Sequence, residues 1–126
     1  MGIEALVLAE ISALRSRLPD VAGVLVASAD GLLVAQDAPG VEPETFAAMS
    51  AACLGLGQQI AQAVRCGDFQ ETVTRAANGY VATFAAGTWA LMSVVAGPDL
   101  NVGRLHHEAR PVAVRVGELV APVARR

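Results

Sequence analysis

The chain has 126 residues, a mass of 12.9 kDa and a formal net charge of −3, with 54% hydrophobic and 17% charged residues. This composition excludes a disordered chain, which would be poor in valine and leucine, and a disulfide-stapled mini-protein, because the two cysteines form no framework. The nine basic residues are all arginine and form no basic run, which argues against nucleic acid as a partner.

The overall hydrophobicity indicates a partner surface, because a mean hydropathy of +0.48 is higher than a monomer of this size needs. The length predicts one domain over residues 1–126. Glu4 and Glu10 near the N-terminus argue against a signal peptide, and three glutamines within residues 46–64 argue against a transmembrane helix. We therefore expect a cytoplasmic protein that does not insert into a membrane.

The first third of the chain predicts a helix followed by a hairpin. Residues 3–18 carry apolar side chains at a period near 3.6, which is typical of an amphipathic helix. Two apolar runs follow, at residues 21–28 and 32–36. Asp30 and Gly31 lie between these runs and predict a hairpin turn, since glycine accepts a positive φ.

A second helix is predicted from Pro43 to about Val64 or Arg65, because proline and a following acid favour a helix start. Its large apolar side chains are spaced by three and four residues, so they form one stripe, which we expect to face a sheet. This stripe consists of Phe46, Met49, Cys53, Leu56, Ile60 and Val64.

The opposite face of this helix is predicted to be smooth and uncharged. No charged residue occurs between Glu44 and Arg65, whereas a helix face in water usually carries lysine and glutamate. Each interior glycine costs up to about 1 kcal/mol, which favours close approach of another helix. The alternative is that this face is exposed to water without a partner and owes its alanines to a codon bias. The residues predicted to contact a second copy here are Ala48, Ala51, Gly55, Gln58, Gln59 and Gln62.

A meander of three strands is predicted next, at residues 69–77, 80–85 and 88–95. Asn78 and Gly79 predict its first hairpin turn, and an Ala-Gly pair predicts the second.

The first strand of this meander should lie at a sheet edge, where unpaired backbone groups can pair with a second chain. Its alternating polar residues, Gln70, Thr72 and Thr74, are predicted to lie in such an interface. A solvated edge protected by Glu71 and Arg75 is the alternative.

A third amphipathic helix is predicted from about Val102. We expect it to continue through Pro111 with a kink, because that proline points away from the apolar face of this third helix. Its adjacent residues His106 and His107 point about 100° apart and cannot grip one metal ion. The cysteines have neither zinc nor redox spacing. We therefore predict no catalytic residues, no metal and no cofactor.

Residues 14–35, with the sequence LRSRLPDVAGVLVASADGLLVA, closely resemble the opening motif of the Roadblock/LC7 family. In that motif a helix leads through a proline and a glycine to a strand that ends in Ser-x-Asp-Gly-Leu. The predicted order of elements is similar to that of the family over nearly the whole chain.

This resemblance implies an α/β, profilin-like fold, with a five-stranded antiparallel sheet, the second helix on one face and the terminal helices on the other. It also implies a homodimer that joins third strands and packs second helices together. Bacterial members are often encoded beside Ras-like small GTPases, which they bind and regulate, and in high-GC bacteria beside a sensor kinase as well. The expected function is thus a non-catalytic signalling scaffold or GTPase regulator.

A second function remains open at this stage, a small-molecule-sensing domain of the PAS or profilin-like type. Trp89 and Tyr80 would then form pocket walls between the sheet and a helix.

Overall fold

The computed structural model describes the backbone of residues 2–124 and the side chains of residues 2–122. In this part of the chain, three helices and five strands follow the predicted order. The helices are α1 (Ile3–Arg17), α2 (Pro43–Ala63) and α3 (Val102–Ala124), and the strands are β1 (Val21–Ser28), β2 (Leu33–Asp37), β3 (Glu71–Ala76), β4 (Gly79–Ala86) and β5 (Ala90–Ala96).

The strands form one antiparallel sheet in the order β2-β1-β5-β4-β3, so β2 and β3 are its edges. The helices α1 and α3 cover one face of this sheet and α2 covers the other. The predicted fold class is therefore confirmed.

The two faces carry cores of different size. The face under α1 and α3 holds the larger core, which includes Phe84, Met92 and Leu105. The face under α2 holds a smaller one around Leu54 and Leu91. Since α2 is the only helix on its face within residues 2–124, the position of α2 decides how much of that face is covered.

The β1–β2 turn contains Asp30 and Gly31, and the φ of Gly31 is +95°. The hydroxyl of Ser28 donates to the carboxylate of Asp30, and it accepts from the backbone N–H of Leu32 at 3.0 Å. These side-chain bonds fix the turn locally.

Both meander turns differ from the prediction. The β3–β4 turn is formed by Ala77 and Asn78, while Gly79 already pairs with Ala76 as the first residue of β4. A Cβ on Gly79 would lie 2.5 Å from the carbonyl oxygen of Ala96, so a close strand contact explains this glycine. The β4–β5 turn has three residues, Gly87 to Trp89, and Trp89 is therefore outside the strand predicted for it.

The helix α3 continues through Pro111 as one helix, and Pro111 is exposed, as predicted. Near its C-terminal end, at Gly117, α3 crosses the sheet very closely. A Cβ on Gly117 would lie 2.7 Å from the backbone carbon and oxygen of Ala86, so no side chain fits there.

Replacing Gly117 with alanine should therefore lower the free energy of unfolding by about 1–3 kcal/mol, because backbone atoms cannot move aside as a flexible side chain can. Chemical denaturation at a fixed protein concentration measures this. Gly103→Ala in the same helix is the control, since its new Cβ meets only the side-chain oxygen of Asn101, at 3.2 Å. Equal stability of the two variants would contradict this account of Gly117.

Candidate interaction surface on the second helix

The start of α2 is fixed by a side-chain cap. The carboxylate of Glu42 accepts a hydrogen bond from the backbone N–H of Thr45 at 2.7 Å, and Pro43 occupies the first turn. Hydrogen bonds from Thr45, and then from Glu44, hold the pKa of Glu42 below its usual value. The cap thus fixes where α2 begins.

Two of the three α2 residues that are buried on the sheet are small. Ala47, Ser50 and Leu54 are the buried residues of this helix. The hydroxyl of Ser50 accepts a hydrogen bond from Ser93 at 2.8 Å, and the hydroxyls of Ser93 and Thr83 lie 2.7 Å apart. These short side chains and their hydrogen bonds let the helix lie close to the strands.

The prediction that the large apolar side chains of α2 face the sheet is therefore wrong. The residues Met49, Leu56, Ile60 and Val64 are 55–60% exposed, and Cys53 is exposed beside them. These five residues are called the apolar stripe below. Phe46, which was predicted with them, is half-buried against the small core. An uncovered stripe of this kind is unusual on a helix that faces water.

The six α2 residues predicted to contact a second copy fall into two groups, one packed on the core and one outside it. Ala51 is half-buried and packs on the core under α2, so it does not belong to the outer surface. The other five lie on the sides of α2 turned away from the apolar stripe, as the 3.6-residue period of the helix requires: Ala48, Gly55, Gln58, Gln59 and Gln62.

A contact within the chain accounts for one of the two glycines of α2 but not for the other. A Cβ on Gly57 would collide with the ring of Phe69, so a side chain there would displace that ring. A Cβ on Gly55 would meet no atom within 4 Å, so no contact among the described residues explains this glycine.

The sheet beside α2 is partly uncovered. Thr83 and Ser93 face α2, and residues two positions along each strand share that face, so Val81 and Val95 also point to this side. Both valines are only half-buried. They form, with Thr74, part of the lining of an open groove of about 510 Å³.

A second groove, of about 370 Å³, lies between Ile60 on α2 and Thr72 on β3. The apolar stripe, the uncovered sheet face and the edge strand thus lie side by side.

The edge strand β3 begins at Glu71, so Gln70 precedes it, although the carbonyl of Gln70 still accepts from the N–H of Ala85 at 3.1 Å. Thr72 is half-buried and Thr74 is exposed. The carboxylate of Glu71 accepts from Arg110 at 2.8 Å and lies 3.6 Å from the Nε2 of His106. This acid therefore ties β3 to α3, and does not guard a solvated edge.

The two aromatic residues of the alternative sensing function lie far apart. Tyr80 is buried at the start of β4, where burial raises its pKa although Arg75 lies 5.6 Å above its ring. Trp89 is 42% exposed in the turn beyond the other end of β4. The length of this strand, about 20 Å, separates them, so they do not form walls of one pocket.

The described residues offer few other chemical sites. Within residues 2–124, no group of three or more histidine, cysteine and acidic side chains is placed to hold a metal ion. In the same part of the chain, no helix has both the length and the apolar character needed to cross a bilayer.

Comparison with known proteins identifies the family. The model of the Roadblock/LC7 domain matches residues 7–96, which is more than half of the chain. The chain belongs to the Roadblock/LC7 family. A search of curated proteins finds no match.

Solved Roadblock/LC7 structures are similar over nearly the whole chain. An MglB with a tetrameric arrangement is 17% identical, with a TM-score of 0.86 over 97% of this chain and 93% of that one. The gliding protein MglB from Thermus thermophilus is 15% identical, with a TM-score of 0.83 and the same coverage. A Roadblock/LC7 domain from Streptomyces avermitilis is 21% identical, with a TM-score of 0.77 over 94% and 98%. At these identities the comparisons establish the fold.

The end of α2 contains a strained residue. Arg65 has a φ of +55°, which is the left-handed conformation that usually requires glycine at a helix end. The next N–H, that of Cys66, donates to the carbonyl of Ala61 at 3.2 Å and closes the helix.

The variant Arg65→Gly should raise the free energy of unfolding by up to about 1 kcal/mol, because glycine removes the Cβ that makes this conformation costly. Arg65→Ala, which keeps the Cβ, should give no such gain. Denaturation curves of the two variants measure the difference, and an equal gain in both would show that strain at this residue is not the cause.

Proposed function

We propose that the chain, as a single domain over residues 1–126, forms a homodimer through α2 and β3 and acts as a non-catalytic, cytoplasmic regulator of a Ras-like small GTPase. The observation that carries the dimer is the apolar stripe, which the chain's own sheet leaves uncovered. Each of its large side chains contributes about 1 kcal/mol when the half that remains exposed is removed from water. In a two-fold symmetric dimer, every such contact occurs twice.

The position of α2 supports this arrangement. Its C-terminal half lies beside β3, since Gly57 contacts Phe69 and Ile60 lines the groove that reaches Thr72. A two-fold axis at the edge of β3 would bring the second α2 antiparallel beside the first. Each helix would then cover the groove at Val81 and Val95 of the partner subunit.

The predicted interface residues lie at different distances from this core. Gln70, Thr72 and Thr74 follow the edge strand beside it, whereas Gly55, Gln58, Gln59 and Gln62 lie on the sides of α2 away from the apolar stripe, at the margin of the proposed contact. Ala48 lies at the far end of α2, and Ala51 contributes to the fold instead. Uncharged residues at the margin of such an interface need no ion partner when they leave water.

Replacing Leu56 or Ile60 with glutamate should convert the dimer to a monomer, because a charge without a partner would be buried in each subunit. Sedimentation velocity measures the mass. Leu8→Glu is the matched control, since Leu8 is 41% exposed on α1, on the other face of the sheet, and the charge is identical. A dimer that persists in both α2 variants would place the contact elsewhere.

The regulatory role rests on family membership and on the kind of surface found. The chain belongs to the Roadblock/LC7 family, and its structural neighbours include MglB proteins. Its most unusual feature is the exposed apolar stripe of α2, which fits a protein that works by binding another protein. A sensor kinase system is a further candidate partner.

Binding to a Ras-like GTPase is tested directly with purified proteins. Each Ras-like GTPase encoded in the source genome is loaded with GDP or with a non-hydrolysable GTP analogue and titrated into the wild-type chain in a calorimeter. We expect one of them to bind, with an affinity that differs between the two nucleotides, and the dimer to alter its rate of GTP hydrolysis or nucleotide exchange. Absence of binding by every GTPase in both states would refute the role.

A further inference from the structure

The open edge of β3 presents the backbone groups of alternate residues. The backbone N–H of Ala85 donates to the carbonyl of Gln70, and these two residues lie opposite each other when the register of β3 and β4 is continued by one position. In an antiparallel pair only every second residue bonds to the neighbouring strand, so the even-numbered residues of β3 bond to β4. The N–H and C=O groups of the odd-numbered residues therefore point to the open edge: Glu71, Val73 and Arg75.

The side chains of these three outward residues lie on the face of the sheet that α1 and α3 cover. Glu71 is opposite Phe84, which belongs to the larger core, and directly opposite residues share a face. Arg75 is opposite Tyr80, which belongs to the same core. Val73 lies between the two charged residues and is 40% exposed. An acid, an apolar residue and a base thus follow one another on one side of the edge strand.

Both charged side chains are held in place by their own subunit. Arg110 donates to the Oε1 of Glu71 at 2.8 Å, and the Nε2 of His106 lies 3.6 Å from the same oxygen. The Oε2 of Glu71 makes no hydrogen bond among the described side chains, so it is available to a further donor. The guanidinium of Arg75 lies 5.6 Å from the centre of the Tyr80 ring. Side chains positioned in this way lose little rotamer entropy when they enter an interface.

A two-fold axis restricts how two copies of β3 can pair. Residues at equal distances on either side of the axis are opposite each other, and hydrogen bonds form only where outward residues of both strands meet. An axis at Val73 pairs all three outward residues, with Glu71 opposite Arg75 of the partner subunit. An axis at any other residue leaves at least one of the three without a partner in β3. At Thr72 or Thr74 it also places Val73 opposite a charged residue.

We propose that two copies of β3 pair with Val73 on the two-fold axis, and that Glu71 and Arg75 decide which chain can pair with this one. The inference rests on the proposed function, because it specifies the β3 part of the proposed dimer. Opposite charges directly across two strands stabilise a sheet, and like charges there destabilise it. A second copy supplies both charges and satisfies them at two places, whereas a strand that places an acid opposite Glu71 is disfavoured. On the other face of the sheet, the same register pairs Thr72 with Thr74, a favourable cross-strand pair.

Single cysteines locate the axis. In a chain whose Cys53 and Cys66 are replaced with alanine, Val73→Cys should form a disulfide between the two copies under oxidised glutathione, because residues paired on the axis have Cα atoms about 5.5 Å apart. Thr72→Cys and Thr74→Cys should not, since each would lie about 7–8 Å from its own counterpart. Non-reducing gel electrophoresis measures the cross-linked fraction. Cross-linking that is strongest at position 72 or 74 would overturn the register.

Exchanged charges test the pairing specificity. Arg75→Glu and Glu71→Lys should each weaken the dimer roughly tenfold, because each places like charges opposite each other twice. An equimolar mixture of the two variants should form a heterodimer, since every facing pair then has opposite charges. Native mass spectrometry distinguishes the three possible dimers. Arg104→Glu is the control for the change of charge and should leave the dimer intact, because Arg104 contacts α1, at the carbonyl of Arg17.

A second variant covers the loss of the bond between Glu71 and Arg110. If Glu71→Lys does not fold, Glu71→Gln takes its place in the mixture, because it also removes the repulsion from a glutamate at position 75. No preference for the heterodimer over the Arg75→Glu homodimer would show that these two residues do not control pairing.

The outcomes separate this inference from the function on which it rests. If the wild type sediments as a monomer, the proposed dimer and this register both fail. If it sediments as a dimer but none of the three cysteines cross-links, or one at another position does so most strongly, the register is wrong. The contact through α2 and the GTPase role would stand in that case.

Discussion

The uncovered apolar stripe of α2 is the feature on which the functional account depends. A helix that lies on a sheet normally turns its largest apolar side chains inward, but here the inward face is made of Ala47, Ser50 and Leu54. The larger side chains point outward, and no charge interrupts them between Glu44 and Arg65. The free energy that would be gained by removing them from water is available only through contact with another molecule.

The same helix shows how one element can serve two surfaces. Around Leu54, its inner face uses the small side chains of Ala47 and Ser50 and a hydrogen bond between the hydroxyls of Ser50 and Ser93. The helix therefore lies close to the strands while covering only part of them. Beside it, Val81 and Val95 remain half-exposed. A second helix placed on this open part of the sheet would complete the layer, so the fold of one chain leaves the space that its copy would fill.

Much of the fold was predictable from the sequence, because element order depends on local patterns. Apolar periodicity and the Asp30-Gly31 turn were sufficient for the first helix and hairpin. The inward face of α2 was not predictable in this way, since side-chain size indicates an apolar face but not which molecule covers it. Ser50 gave no signal in the sequence, because its burial depends on Ser93 and Thr83, which are distant along the chain.

The exposed apolar side chains were predictable only in part. The absence of charge on α2 correctly marked it as unusual, but the glycine at position 57 had a reason inside the fold, its contact with Phe69. The β4–β5 turn was predicted to have two residues but has three. Because of this error the exposure of Trp89 was not predicted. Turn length depends on strand register, which a single pair of turn residues does not determine.

Oxidation of Met49 by hydrogen peroxide, followed by peptide mass spectrometry, tests most directly whether the stripe is covered. The side chain is 56% exposed in the single chain. If a second copy covers it, Met49 in the wild type will oxidise more slowly than in the Ile60→Glu variant, while the fully buried Met92 will remain slow in both. Equal rates for Met49 in the two proteins would show that the stripe is open to water, and the proposed dimer would be wrong.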